Sequence, residues 1–195
     1  ALSLLFMVLA ASLCGINDFT GEKCIIKSEF IYLPGDVGFQ SCHASTITEI
    51  NGDLLVAWFG GTEEGNPDVG IWISHNTSGI WSNPVEAANG FRDDNRRYPC
   101  WNPVLYNTGK SILLFYKVGP SPSAWWGELI TSDDNGYRWS KPHTLPADIY
   151  GPVKNKPLLL SDGVPLCPAS SENDGWRVHM ECTSDNGLTW KRTPP

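Results

Sequence analysis

The side chains in this sequence best suited to acid–base chemistry are His43, the carboxylates Glu63, Glu64 and Asp68, and the cations Arg97, Lys117, Lys156 and Arg177, with Asn102 and Asn155 as neutral hydrogen-bonding partners. A carboxylic acid in a partly desolvated pocket keeps its proton toward neutral pH and can protonate a leaving oxygen. A histidine beside several cations suits a different step, in which the cations neutralise a carboxylate and the imidazole removes the proton on the neighbouring carbon. Glu63, Glu64 and Asp68 share one polar stretch with Gly65, Asn66 and Pro67, which reads as a loop, and His43 opens an apolar, β-branched run.

These residues need elements to bring them together, and a repeat supplies them. Thr183-Ser184-Asp185-Asn186-Gly187-Leu188-Thr189-Trp190 is a turn in which Asp accepts backbone N–H bonds, Gly supplies a positive φ and Trp anchors the hairpin. Ser132-Asp133-Asp134-Asn135-Gly136-Tyr137-Arg138-Trp139 is a second copy, and Ser74-His75-Asn76-Thr77-Ser78-Gly79-Ile80-Trp81 an eroded third. Each copy closes the same order of strand, hairpin, strand, loop, strand, turn, strand, and the first hairpin is marked by Asn51-Gly52. Repeats of this period predict an all-β chain of stacked four-stranded antiparallel sheets, the pattern of a β-propeller.

Following the strand directions puts the Asp turns at one end of the sheets and the remaining loops at the other. Residues 62–68, 119–125 and 170–174 occupy that second end, with the starts of the three inner strands. In this reading His43, Asn102 and Lys156 hold equivalent positions and point into one funnel, joined on that face by Glu63, Glu64, Asp68, Arg97, Lys117 and Arg177. Ligands of propellers collect where inner strands begin.

Bulk properties narrow the partners. A net charge of −7 without a basic run argues against nucleic acid or an anionic membrane surface. The apolar start of the chain, followed by Ser12, Leu13, Cys14 and Gly15, has the length of a signal-peptide core; residues 1–15 are read as part of a signal peptide and residues 16–195 as one domain continuing beyond them. Secretion fits the sequon Asn76-Thr77-Ser78. Removal of Cys14 with the signal leaves Cys24, Cys42, Cys100, Cys167 and Cys182, so at most two disulfides form within the chain, and no cysteine or histidine spacing indicates a metal site.

With its Asp turns the chain resembles the sialidase (neuraminidase) superfamily, whose propellers carry these Asp boxes as BNR repeats, over roughly residues 39–190. Cys42-His43-Ala44-Ser45-Thr46, Trp58-Phe59-Gly60-Gly61-Thr62-Glu63-Glu64-Gly65, Tyr98-Pro99-Cys100-Trp101-Asn102-Pro103 and Asn155-Lys156-Pro157 resemble a sialidase-like branch. The resemblance implies about three blades, the N-terminal half of a six-bladed propeller. It also implies a secreted glycosidase acting on terminal acidic sugars without a cofactor, with Glu64 or Asp68 at the acid/base position. Arg97, Asn102, Lys117, Asn155, Lys156 and Arg177 are the substrate-binding candidates. The sequence departs from the family at Ser41-Cys42-His43-Ala44, where sialidases open the first inner strand with an arginine. Two alternatives follow: a polysaccharide lyase of rhamnosyl-glucuronate ends with His43 as base, and a non-catalytic glycan-binding propeller with Trp101, Trp125 and Trp126 as stacking platforms.

Overall fold

The computed structural model describes residues 27–92, 95–173 and 175–194; the expected signal segment, with Cys14, and also Cys24 lie outside the described residues. Among the described residues all regular elements are strands: β1 (Ser41–Ile50), β2 (Asp53–Gly61), β3 (Gly70–Thr77), β4 (Ile80–Trp81), β5 (Val85–Ala88), β6 (Cys100–Asn107), β7 (Ile112–Val118), β8 (Trp126–Ser132), β9 (His143–Thr144), β10 (Leu158–Leu159), β11 (Pro165–Ser171), β12 (Arg177–Cys182) and β13 (Lys191–Arg192). They form three sheets in chain order, β1-β2-β3-β4 with β5 also paired to β3, then β6-β7-β8-β9, then β10-β11-β12-β13. All neighbouring strands are antiparallel.

The central strands β2 and β7 read as continuous apolar runs because both of their faces are covered. Asn51 and Gly52, at φ 54° and 90°, make the two-residue β1–β2 turn that their types predict. Leu55, Phe59, Ile71, Leu105, Leu114 and Tyr116 fill the layer between the first and second sheets. Val104, Leu113, Phe115, Leu129 and Leu145 begin the layer between the second and third. A fully buried side chain of this size stabilises the fold by about 1.5–3 kcal/mol. On the far side of the first sheet Tyr32 and Phe39 lie over Trp58 and Trp72. The outward face of the third sheet instead presents Trp176, 84% exposed, Val178 and Leu158.

The Asp turns fasten each sheet to the one before it. Thr183 Oγ1 donates to Asp185 Oδ1 (2.9 Å) and accepts from Gly187 N (2.9 Å), while Thr189 donates to both carboxylate oxygens of Asp185. The Thr189 hydroxyl is the largest of the influences that hold the Asp185 carboxyl down at about 2. Ser132, Asp134 and Gly136 repeat the arrangement. Both turn glycines have positive φ, and a Cβ on Gly136 would lie 2.7 Å from Leu55 of the first sheet, one on Gly187 2.5 Å from Leu129 of the second. Trp190 completes the seam edge-on to Phe115.

The first copy of the turn differs from its sequence reading. Strand pairing sets Asn76, not Ser74, opposite the positions of Ser132 and Thr183, and the Asn76 side-chain oxygen accepts from Gly79 N (3.0 Å) where the others use a hydroxyl. Ser74 Oγ turns instead to Ser82 O (2.7 Å). The hairpin shrinks to a two-residue turn at Ser78 and Gly79, both with positive φ, because no Asp is present to brace a longer one. The sequon asparagine is consequently 8% exposed, with its amide oxygen engaged in the turn. Cys42, Cys100, Cys167 and Cys182 are free thiols.

The seam can be tested by comparing two glycines of similar backbone conformation. Gly163 also has positive φ but no atom within 4 Å of a Cβ. Gly163→Ala is expected to cost about 1 kcal/mol from backbone strain alone, and Gly187→Ala a further 1–3 kcal/mol, roughly, from overpacking against Leu129; urea unfolding of the two variants measures the difference.

Candidate functional site

The end of the sheets opposite the Asp turns is shaped by a shared irregularity of the inner strands. β1 shifts register between His43 and Thr46, and β6 between Trp101 and Val104. Each bulge contains a non-glycine residue at positive φ, Ala44 at 53° and Asn102 at 40°, and Lys154 at 65° holds the same place before β10. Counting from the pairings therefore aligns His43 with Trp101 and Val153, Ala44 with Asn102 and Lys154, and Thr46 with Val104 and Lys156. This corrects the expected equivalence of His43, Asn102 and Lys156. A bulge re-aims side chains beside it, a reason for its occurrence near sites.

His43 stands at the rim, and its Nδ1 lies 3.5 Å from Glu64 Oε2, with side chains 66% and 51% exposed. The His43 ring meets Phe59 edge-on (5.5 Å), Phe59 meets Trp101 (6.1 Å), and Trp101 meets Trp125 (6.1 Å). This aromatic row is a foundation and not a sugar platform: Trp101 and Trp125 are buried, and Trp101 Nε1 donates to Gly119 O. The loop bearing Glu64 sits on it, since a Cβ on Gly65 would be 3.5 Å from Trp101. Trp126 is half-buried beneath the Arg92 guanidinium (4.9 Å).

Asp68 closes that loop. Its Oδ2 accepts from Thr62 N (2.8 Å) and its Oδ1 from Thr62 Oγ1 (2.9 Å). Arg97 Nη2 donates to Asp68 O (2.9 Å) and Glu86 Oε1 (3.1 Å), and the guanidinium covers Phe91. Asn102 occupies the bulge of β6, Asn155 is exposed ahead of β10, and Arg177 opens β12 at an exposed position. Lys156 Nζ reaches Ile47 O in the middle of β1, and burial lowers its pKa. Together with Leu105 N to Thr46 Oγ1 and Asn107 Nδ2 to Glu49 O, that bond draws the three inner strands toward one line.

Lys117 lies inside the molecule, not on the rim. It is fully buried between the second and third sheets, and its Nζ donates to Pro152 O (3.0 Å). Near it the buried Glu181 carboxylate accepts from Gly151 N (2.7 Å) and Tyr150 N (3.1 Å) and contacts His179 Nε2 (2.8 Å). Desolvation lowers the Lys117 pKa to about 7, against the pull of Glu181. A second internal charge pair joins Arg92 to buried Glu128 (2.7 Å), whose Oε1 also accepts from Trp126 Nε1 and Thr144 Oγ1. Glu128 and Glu181 were not singled out from sequence; Glu128 is in phase with the inward Trp126 and Ile130 of β8, whereas in β12 the apolar Val178 and Met180 face outward and Glu181 shares the inward side with His179, so alternation gave no signal there. Among the described residues no three His, Cys, Asp or Glu side chains gather as for a metal ion.

Stacked antiparallel sheets with braced turns at one end and an open polar rim at the other define a class of repeat fold. Residues 52–195 match the family model of the BNR repeat-like domain, and the chain belongs to that family. A search of curated proteins finds no match. Among solved structures the chain is similar to the Hadza microbial sialidase Hz136 (TM-score 0.71, 16% identity), covering 83% of this chain and 39% of that one. It is also similar to Trypanosoma rangeli sialidase in complex with the inhibitor DANA (0.60, 17%, covering 80% and 32%). A third is Zg3597, a family 117 glycoside hydrolase of the marine bacterium Zobellia galactanivorans (0.61, 10%, covering 84% and 58%). The fold is sialidase-like, and the chain spans about two fifths of the length of the first of these proteins.

The buried lysine makes stability depend on pH in a definite sense. Between about 7 and its ordinary 10.5, Lys117 is protonated in the unfolded chain and largely neutral in the folded one, so the penalty of burying its charge is full below that window and relieved as pH rises through it. Wild-type stability is expected to rise relative to Lys117→Met across that window, by at most about 1.4 kcal/mol per pH unit; urea titrations of both proteins at pH 7, 8, 9 and 10 check the slope.

Proposed function

We propose that this chain forms three consecutive blades of a larger secreted β-propeller, a glycosidase that acts on terminal acidic sugars of glycans with Glu64 and His43 as its acid–base pair. The observation that carries the reading is the 3.5 Å contact between those two side chains on the open rim. Of the three carboxylates in that loop, Asp68 has both oxygens committed to Thr62, whereas Glu64 stands beside an imidazole and within reach of a ligand. The names of similar structures, two sialidases and a glycoside hydrolase, support carbohydrate as the substrate class. Further blades packed on the apolar outward face of the third sheet would complete the funnel.

In this mechanism Glu64 in its acid form protonates the glycosidic oxygen as the bond to the anomeric carbon breaks, and a group from another blade supports the attacking side. A bound sugar covers Glu64 and removes water from it, which favours the protonated form. Water then adds to the anomeric carbon and gives its proton to the Glu64 carboxylate, which restores the acid, while His43, resting on Phe59, holds that carboxyl in place.

The same contact supports elimination as a second reading. There Glu64 would orient His43, which takes the proton from the carbon bearing the uronate carboxylate; the freed electron pair forms a C=C bond as the C–O bond on the next carbon breaks, and the leaving oxygen takes a proton from water, giving an unsaturated uronate.

Incubating the protein with sialylated glycans and with glucuronate-ended polysaccharides distinguishes these. New reducing ends without ultraviolet absorbance are expected; an absorbing product selects elimination, and binding without either product removes both. Glu64→Gln should lower kcat by about 10²- to 10⁴-fold with thermal unfolding nearly unchanged, because the side chain is exposed.

A further inference from the structure

We infer that Arg97 is a positioning residue for Glu64, acting through the loop that Asp68 closes, and does not itself hold a substrate carboxylate. This rests on the reading of Glu64 and His43 as the reacting pair. Arg97 is three-quarters buried, one amino group already donates twice, and the plane of the guanidinium is covered by Phe91. One of its acceptors is the carbonyl of the residue whose carboxylate grips Thr62.

Residues 62–68 are thereby a closed ring. Thr62 and Asp68 form the clasp, Asn66 Nδ2 adds a bond to Thr62 Oγ1, and Asn66 N turns back to Glu63 O, with Gly65 at φ 87° at the tip. Glu64 lies between these turn residues, so its carboxylate is directed by the ring and not by packing of its own. Among the described residues Arg97 ties the ring to the body through Asp68 O, and just beyond the ring Cys100 N, at the start of β6, bonds to Val69 O. The Glu86 carboxylate on β5 holds the guanidinium from the opposite side. Arg97 thus transmits the position of β5 to the loop that faces His43. A substrate ligand would instead present its donors toward the rim.

The His43 ring resonances of the full chain, observed by NMR at fixed pH, read the link directly, since Arg97 does not contact that ring. Arg97→Gln is expected to move them in the same direction as Glu64→Gln and to add nothing when combined with it. Exchange of the Thr62 amide should become about tenfold faster, and Arg97→Lys, which restores one donor, should recover most of both effects. Undisturbed His43 resonances in Arg97→Gln, together with lost binding of N-acetylneuraminate or glucuronate, would make Arg97 a ligand and overturn the inference. Should Arg97→Gln fail to fold, Glu86→Gln carries the same measurement with the same two outcomes, because it releases the guanidinium from β5. Absence of turnover on every acidic glycan would remove the proposed function while leaving this readout intact.

Discussion

A carboxylate whose oxygens are occupied by its own turn is the constraint on which the remaining architecture depends. Asp134 and Asp185 each hold a long hairpin rigid enough to push a glycine and a tryptophan against the preceding sheet. The sheets must cover one another because their central strands are apolar on both faces, and face-to-face packing alone leaves the angle between two sheets adjustable. The turn removes that freedom at one end. At the other end lie the starts of the inner strands and the loops within each sheet, and there β1 carries His43 and the loop from β2 to β3 carries Glu64.

Burial between the sheets explains why charged residues appear inside. Lys117 and Glu181 do not bond to each other in the manner of a surface ion pair; they grip one backbone segment from two sides, the carboxylate taking N–H groups of Tyr150 and Gly151 and the ammonium giving to the carbonyl of Pro152. That segment crosses from the second sheet to the third without regular pairing, so its peptide groups would otherwise be buried without partners. Lys117 and Glu181 are thus substitutes for missing strand bonds. Arg92 and Glu128 act differently between the first and second sheets, where Glu128 gathers the side chains of Arg92, Trp126 and Thr144 and the Arg92 guanidinium lies over Trp126.

The architecture was legible in sequence wherever a local rule decides the backbone. Asn51-Gly52 specified its hairpin, and the two complete Asp turns specified the order and spacing of the sheets, because Asp, Gly and Trp each have one physical task there. The loop containing Glu64 could be placed opposite the turns by counting strand reversals. Register at the rim could not be counted that way. The bulges at Ala44 and Asn102 add one residue to each inner strand; Ala does not announce a positive φ, and Asn tolerates one without requiring it, so the bulge shows only in the pairing with β2 and β7. Asn76 was hidden for another reason: without the bracing Asp the hairpin is shorter, so aligning the copies on Trp81 set Ser74 where the strand pairing sets Asn76, whose carboxamide oxygen takes the place of the hydroxyl. Lys117 offered the clearest missed signal, a single cation within an otherwise apolar strand that is buried throughout.

Residue type alone selected too many candidates for the rim, and the number of bonds already made by each group separates them. Asp68, Arg97, Glu128 and Glu181 are charged, but each already bonds to neighbouring amides, hydroxyls, carbonyls or counter-charges, and the atoms of Arg97 and Glu128 left without a partner, Nε and Oε2, are buried away from the opening. Lys156 has turned away from the opening to a carbonyl in mid-strand. His43 and Glu64 are related differently to the frame: each rests on an aromatic or a braced loop through its backbone or one edge, and each leaves polar atoms facing outward. Chemistry requires groups that are directed by the fold yet can change partner during a reaction. Such groups occur here because rigid residues surround them, and the repeat supplies that rigidity through the turns at the far end of the same strands.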